Sequence, residues 1–125
     1  MPSFGTLKAD TLTHSTAGSL ATNYVVNGSS KAWVNFDGTG TIAARDSLNL
    51  SSLDDDGTGQ YGINLTSAMA DANYMVSMRL HGDAFTPDNR QSDQAAGAFD
   101  INYYNSSGSF RDVDSAGAGV MGDLA

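Results

Sequence analysis

Apolar residues recur at every second position in several short runs, a period that points to extended chain with one face buried. From Asn73 to Leu80, Tyr74, Val76, Met78 and Leu80 alternate with Asn73, Met75, Ser77 and Arg79. Tyr61, Ile63 and Leu65 repeat the pattern between Gln60 and Thr66, and Phe99, Ile101 and Tyr103 do so between Ala98 and Tyr104. Ala32, Val34 and Phe36 form a fourth stripe. Successive side chains of a strand point to opposite faces, so each run predicts a half-buried strand. The residues between the runs agree. Asp, Asn, Ser, Thr and Gly make up about half of the 125 residues, and all 14 acidic residues are Asp. These types favour turns and caps over helix interiors, so a helical bundle does not fit.

The turn-rich segments give an order to the strands. Asp54-Asp55-Asp56-Gly57-Thr58-Gly59 lies between Leu48-Asn49-Leu50 and Tyr61-Gly62-Ile63, and its Asp-Gly step suits a tight hairpin turn joining antiparallel strands. Asp37-Gly38-Thr39-Gly40 predicts a second turn, and Asn105-Ser106-Ser107-Gly108 a third, between the strand ending at Tyr104 and another at Phe110–Val113. Ser115 to Gly122 reads as a final strand whose Gly117 and Gly119 permit close approach of another backbone. The expected fold is all-β: an antiparallel β-sandwich or jelly-roll-like knob over residues 31–125. Residues 1–30, with scattered Phe4, Leu7, Leu12 and Leu20 and a candidate strand at Tyr24-Val25-Val26, predict an extended N-terminal arm. Gly82 to Gly97 is long and polar for a connection and is expected to present a functional surface.

Length and charge narrow the function classes. A chain of this size can form one domain whose core needs no covalent staple. The absence of cysteine excludes a disulfide framework and thiolate chemistry. A net charge of −8 with six basic residues argues against nucleic-acid partners and anionic membrane surfaces. No apolar run approaches the roughly 20 residues of a spanning helix. Met1-Pro2-Ser3-Phe4-Gly5 lacks the basic start and apolar core of a signal peptide, so the expectation is a protein made and used without its own export signal.

Candidate chemistry is sparse, and no enzyme is expected. The histidines are His14, in the polar arm, and His81, after a strand. With Ser and Asp so abundant, a chance Ser/His/Asp combination is expected in any fold, and neither histidine is marked as a catalytic base. Ser52 to Gly57 places Asp54, Asp56 and Gly57 at the third, fifth and sixth positions of a calcium loop, but the twelfth position is Ile63 and not a bidentate Glu. An Asp-rich turn is the better reading, with a looser calcium site shared between subunits left open; no cofactor is expected. Paired carboxylates for glycoside hydrolysis are not marked out among so many Asp residues. Asn-x-Ser/Thr triplets at Asn27, Asn49, Asn64 and Asn105 are expected by chance and to be unmodified. Trp33 and Tyr104 sit on the polar faces of their strands, which points to a subunit interface or to a sugar-stacking site. Trp33, Tyr104 and the loop residues Asp88, Asn89 and Arg90 are the candidate receptor or partner surface; Phe4, Leu7 and Leu12 are candidate anchors.

Several strings carry a family resemblance: Lys31-Ala32-Trp33-Val34-Asn35-Phe36-Asp37-Gly38-Thr39-Gly40, Arg45-Asp46-Ser47-Leu48-Asn49-Leu50-Ser51-Ser52, Asp56-Gly57-Thr58-Gly59-Gln60-Tyr61 and Asp71-Ala72-Asn73-Tyr74. Together with Leu7-Lys8-Ala9-Asp10-Thr11-Leu12-Thr13 and Gly119-Val120-Met121-Gly122-Asp123-Leu124-Ala125, the chain resembles a module of tail-fibre and other virion appendage proteins of marine bacteriophages. The resemblance implies a non-enzymatic structural protein on the exterior of the virion. It further implies a homotrimer whose N-terminal arm joins other phage structural proteins while a β-rich knob points outward. A chain that is nearly all module fits a fibre tip, a head fibre or a capsid decoration protein. A carbohydrate-binding module recognising host glycans is the alternative, compatible with the first if the appendage also binds the receptor.

Overall fold

A computed structural model describes residues 5, 8–79 and 86–125. Phe4, Leu7, Leu80 and His81 lie outside the described residues. In chain order the elements are β1 (Thr11–His14), β2 (Gly18–Ala21), α1 (Thr22–Gly28), β3 (Ser30–Asp37), β4 (Ala43–Leu48), β5 (Leu50–Gly57), β6 (Gln60–Leu65), β7 (Met75–Met78), β8 (Thr86–Asp88), β9 (Ala98–Tyr104) and β10 (Ala116–Met121), with a 3-10 turn at Gln91–Asp93. The four alternating runs are thus β3, β6, β7 and β9, and the class is all-β. Two four-stranded antiparallel sheets carry the body of the protein, in the orders β4-β3-β10-β7 and β5-β6-β9-β8.

The inward stripes of both sheets meet in one apolar cluster: Ala32, Val34 and Phe36 of β3, Tyr61, Ile63 and Leu65 of β6, Phe99, Ile101 and Tyr103 of β9, and Ala116, Ala118 and Val120 of β10. Met69, Tyr74 and Val113 complete it from the connections. Phe36 is fully buried and meets Tyr61 edge to face, the ring centroids 5.1 Å apart. Buried tyrosine hydroxyls need partners, and each finds backbone. Tyr61 Oη donates to Gly38 O at 2.9 Å, Tyr74 Oη to Ala95 O at 2.7 Å and Tyr103 Oη to Arg79 O at 2.8 Å. Burial pushes the Tyr61 and Tyr74 hydroxyls up to about 12, so both remain donors across the physiological range. The tyrosines therefore tie connecting segments to the core.

Asn49 passes the chain from one sheet to the other. It joins β4 directly to β5 with a φ of 57°, the left-handed region that Asn tolerates better than most side chains. Its side chain secures the step: Oδ1 accepts from Ser67 N at 2.7 Å, and Nδ2 donates to Ser67 O and Lys31 O.

Four expectations require correction. Asp54, Asp55 and Asp56 belong to β5 and not to the turn, which is the two-residue loop Thr58-Gly59 closed by the Gly57↔Gln60 pair. An edge strand facing water accommodates such charges. Gly59 is required in that loop: its φ is 66°, and a Cβ there would stand 2.5 Å from Arg111 N. The segment Phe110–Val113 is not a strand; one bridge joins Tyr104 to Phe110, after which the chain packs on the β5–β6 turn, with Asp112 Oδ1 accepting from Gly59 N at 2.7 Å.

The N-terminal segment is not an extended arm where it is described. β1 and β2 pair as a hairpin, from Thr11↔Ala21 to His14↔Gly18, and Tyr24-Val25-Val26 lie in α1 and not in a strand. Among the described residues, no strand of either large sheet pairs with this stretch. Apart from these corrections, the long polar connection holds β8 and the 3-10 turn, and its residues 82–85 lie outside the described residues.

Candidate functional site

β8 pairs with β9 as Thr86↔Tyr104, Pro87↔Tyr103 and Asp88↔Asn102, and this register gathers four of the five candidate surface residues on one sheet edge. The Asn89 side chain donates to Asp100 O at 2.8 Å, holding the chain against β9 as it leaves β8. Arg90 Nε then reaches Asp88 Oδ2 at 3.3 Å. The guanidinium also meets the Tyr104 hydroxyl, and both partners raise its affinity for the proton, the Asp88 hydrogen bond first. Tyr104 stacks on Phe110 with centroids 4.8 Å apart and planes 28° apart. Phe110 is 42% exposed. The result is an aromatic platform edged by one cation and one anion, a surface that can stack on a flat apolar ligand face and bond its polar rim.

Trp33 is not part of that platform, because β3 belongs to the other sheet. On β3 it faces outward with Lys31 and Asn35, opposite the buried stripe, and is 37% exposed. Its row continues across the sheet as Leu48↔Trp33↔Gly119↔Ser77, and the adjacent row runs Asp46↔Asn35↔Gly117, beyond which Arg79 N donates to Gly117 O. Two glycines therefore floor a groove of about 350 Å³ between Trp33 and Asn35 on one side and Ser77 and Arg79 on the other. Ser77 Oγ donates to Gly119 O at 3.2 Å. Asn35 Oδ1 is buried with no hydrogen-bond partner.

Leu12, the one candidate anchor among the described residues, is exposed on β1. It lines an open cleft with Lys8, Ala9, Asp10, Thr22, Val25 and Val26. Thr22 Oγ1 donates to Ala9 O and Thr22 N to Asp10 O, which fixes the start of α1 against the residues that lead into β1. Lys31 Nζ caps the far end of α1 by donating to Val26 O, Ser29 O and Ser29 Oγ, as a cation at a helix C-terminus should.

His14 is committed to local structure: Nδ1 accepts from Ala17 N at 3.1 Å and Thr16 N at 3.3 Å across the β1–β2 turn. The carboxylates of the calcium-like run point elsewhere than into a loop. Asp54 Oδ2 accepts from Asn64 Nδ2 at 2.7 Å, and Asp54 and Asp100 flank Gly62 in register. Burial, and then the charges of Asp56, Asp93 and Asp54, raise the Asp100 carboxyl above its usual range. Among the described residues no group of three or more His, Cys, Asp or Glu side chains is placed to hold a metal ion.

Sequence reasoning missed Phe110, Asn35, Ser77 and Arg79 as surface residues. The alternation did assign the last three to polar faces, but nothing in a single run tells which strands become neighbours. No protein-family profile matches this chain, no curated protein matches it, and no solved structure matches it.

Proposed function

We propose that the chain is a non-enzymatic structural subunit of a bacteriophage virion, carried on the particle exterior as a fibre tip, head fibre or capsid decoration protein. In this reading the two sheets form an antiparallel β-sandwich of jelly-roll type, three copies assemble, and the N-terminal segment joins the particle. The resemblance of the Lys31–Gly40 string and its companions to marine phage appendage modules supports the phage assignment. The observation that carries the assembly role is the N-terminal segment: β1, β2 and α1 are folded yet bury no residue. Leu12, Leu20, Tyr24, Val25 and Val26 are left exposed there; Leu12 pairs with Leu20 across the hairpin and shares a cleft with Val25 and Val26, an apolar surface that fits a docking partner. A heterologous contact repeated around a threefold axis closes such a set.

Light scattering of the purified chain tests this reading. The expected mass is three times 13.0 kDa, and a monomer at micromolar concentration overturns the trimer. Removing residues 1–29 is expected to leave a cooperatively folding body that no longer joins particles. Normal incorporation of that truncation would overturn the anchoring role. A host-attachment role by glycan recognition is the second reading, favoured by the Tyr104–Phe110 stack with Arg90 at its edge. A glycan array separates attachment from simple decoration, since silence across host polysaccharides leaves only the structural role.

A further inference from the structure

We infer that the groove between β3 and β7 binds an anionic saccharide, its acidic group on Arg79 and a sugar ring against Trp33; this rests on the glycan-recognition reading above. The backbone geometry sets the dimensions. β10 separates β3 from β7, so the walls stand two strand spacings apart, about 9–10 Å. Gly117 and Gly119 add no side chain to the floor, which leaves a shallow, open trough of about 350 Å³.

The chemistry of the walls selects the ligand. β10 is paired on both sides, so the floor has no free ladder for an added peptide strand, and recognition falls to side chains. Trp33 offers an exposed indole of the kind on which the apolar face of a sugar ring stacks. Asn35 lines the same wall with a side-chain amide, a group able to bond a sugar hydroxyl. The Ser77 hydroxyl already donates to Gly119 O and retains its capacity to accept. Arg79 is exposed at one end of its row, whereas Asp46 stands at the opposite end beyond Asn35. That polarity orients a ligand with its carboxylate or sulfate toward Arg79 and its hydroxyls toward Asn35. A cation here, on a chain of net charge −8, is a local reversal of sign that neutral sugars do not need.

The single tryptophan of the chain is the reporter. The full chain is titrated with an oligouronate, a sulfated oligosaccharide and a neutral oligosaccharide of equal length, following Trp33 fluorescence. Both acidic probes, or one of them, should change the signal and bind about tenfold more tightly than the neutral one, the scale of one charge-assisted hydrogen bond. Which acidic probe responds identifies carboxylate or sulfate as the group on Arg79. Arg79→Gln should abolish that preference while preserving the weaker neutral binding. Gly119→Ala, whose methyl would stand 3.3 Å from Ser77 Oγ, should weaken every probe by filling the floor.

Equal affinities for acidic and neutral probes, or an unchanged preference in Arg79→Gln, would overturn the anionic class while the glycan reading stands. Binding that leaves Trp33 silent and survives Gly119→Ala places the sugar elsewhere, and the groove is then wrong. An indole inaccessible to acrylamide in the free protein means that another copy covers the groove, which also overturns the inference. Silence of all three probes here, together with a silent glycan array, removes both this inference and the attachment reading.

Discussion

The segment from Lys8 to Gly28 and the body that begins at Ser30 are both folded, but for different reasons. In the body, fifteen apolar residues among those described are buried in one cluster, and removing that surface from water offsets the entropy lost in ordering the chain. The N-terminal segment has hairpin pairs and a helix whose end is capped by Lys31 of β3, yet no buried residue. Isolated hairpins and short helices are marginal in water. Regular backbone is therefore no measure of where the stability lies. The body carries its own, and the segment before it buries nothing that could supply any.

The sharpest way to break this contrast is truncation in each region. Phe36→Ala, at a fully buried site, is expected to cost about 3–5 kcal/mol, whereas Leu20→Ala in dilute solution should change stability by less than about 0.5 kcal/mol. Urea unfolding of the two variants checks this, and comparable losses would make the N-terminal hairpin part of the core. A paired glycine test comes next. Gly59→Ala meets both a left-handed φ and the Arg111 backbone at 2.5 Å, while Gly18→Ala, at φ 94°, meets nothing within 4 Å. The first should cost more than about 2 kcal/mol, while the second, strained but in a hairpin that buries nothing, should change the stability of the body by less than about 0.5 kcal/mol. Thermal midpoints of the two variants give the comparison directly.

Acid titration probes differences within the body at smaller scale. Asp37 is held below the usual carboxylate range by the Thr39 side-chain and backbone hydrogen bonds and then by Arg45; Asp71 is lowered by the Asn73 amide. A lowered folded value means stability that is present above the unfolded value, about pH 4, and is lost as the pH falls through the folded one. Asp100 has the opposite sign. Its raised carboxyl destabilises the fold when ionised, and that cost disappears as the pH falls from neutrality through its folded value. Asp100→Asn should therefore melt slightly higher than the parent chain at pH 7 and converge with it toward pH 4. A difference that stays constant with pH would contradict the electrostatic origin.

The sequence made the inner stripes legible because alternation is local: Tyr61, Ile63 and Leu65 declare a buried face within seven residues. The outward placement of Trp33 followed from the same rule. Tyr24-Val25-Val26 misled, since β-branched residues favour strands only where a sheet offers them a neighbour, and none pairs with that stretch. The two surface sites were legible only as parts. Arg90 and Tyr104 stand fourteen positions apart, and the β8–β9 register that joins them depends on a three-residue strand whose alternation is too short to read. The groove needs β3, β7 and β10 side by side, a long-range arrangement that each strand's own pattern leaves open.

The central position of β10 also sets a timetable. Its partners β3 and β7 are synthesised well before it, and the Phe36↔Ala116 pair spans eighty residues of chain. Hairpins such as β5–β6 can close while the chain is still emerging, but the sheet containing β3 waits for its middle strand. Until then the apolar stripe of β3 and the edge that β10 will occupy are open to other nascent chains, an exposure that slow non-local pairing brings with it. The chain is thus most vulnerable to misassembly in the interval between synthesis of its third strand and its tenth.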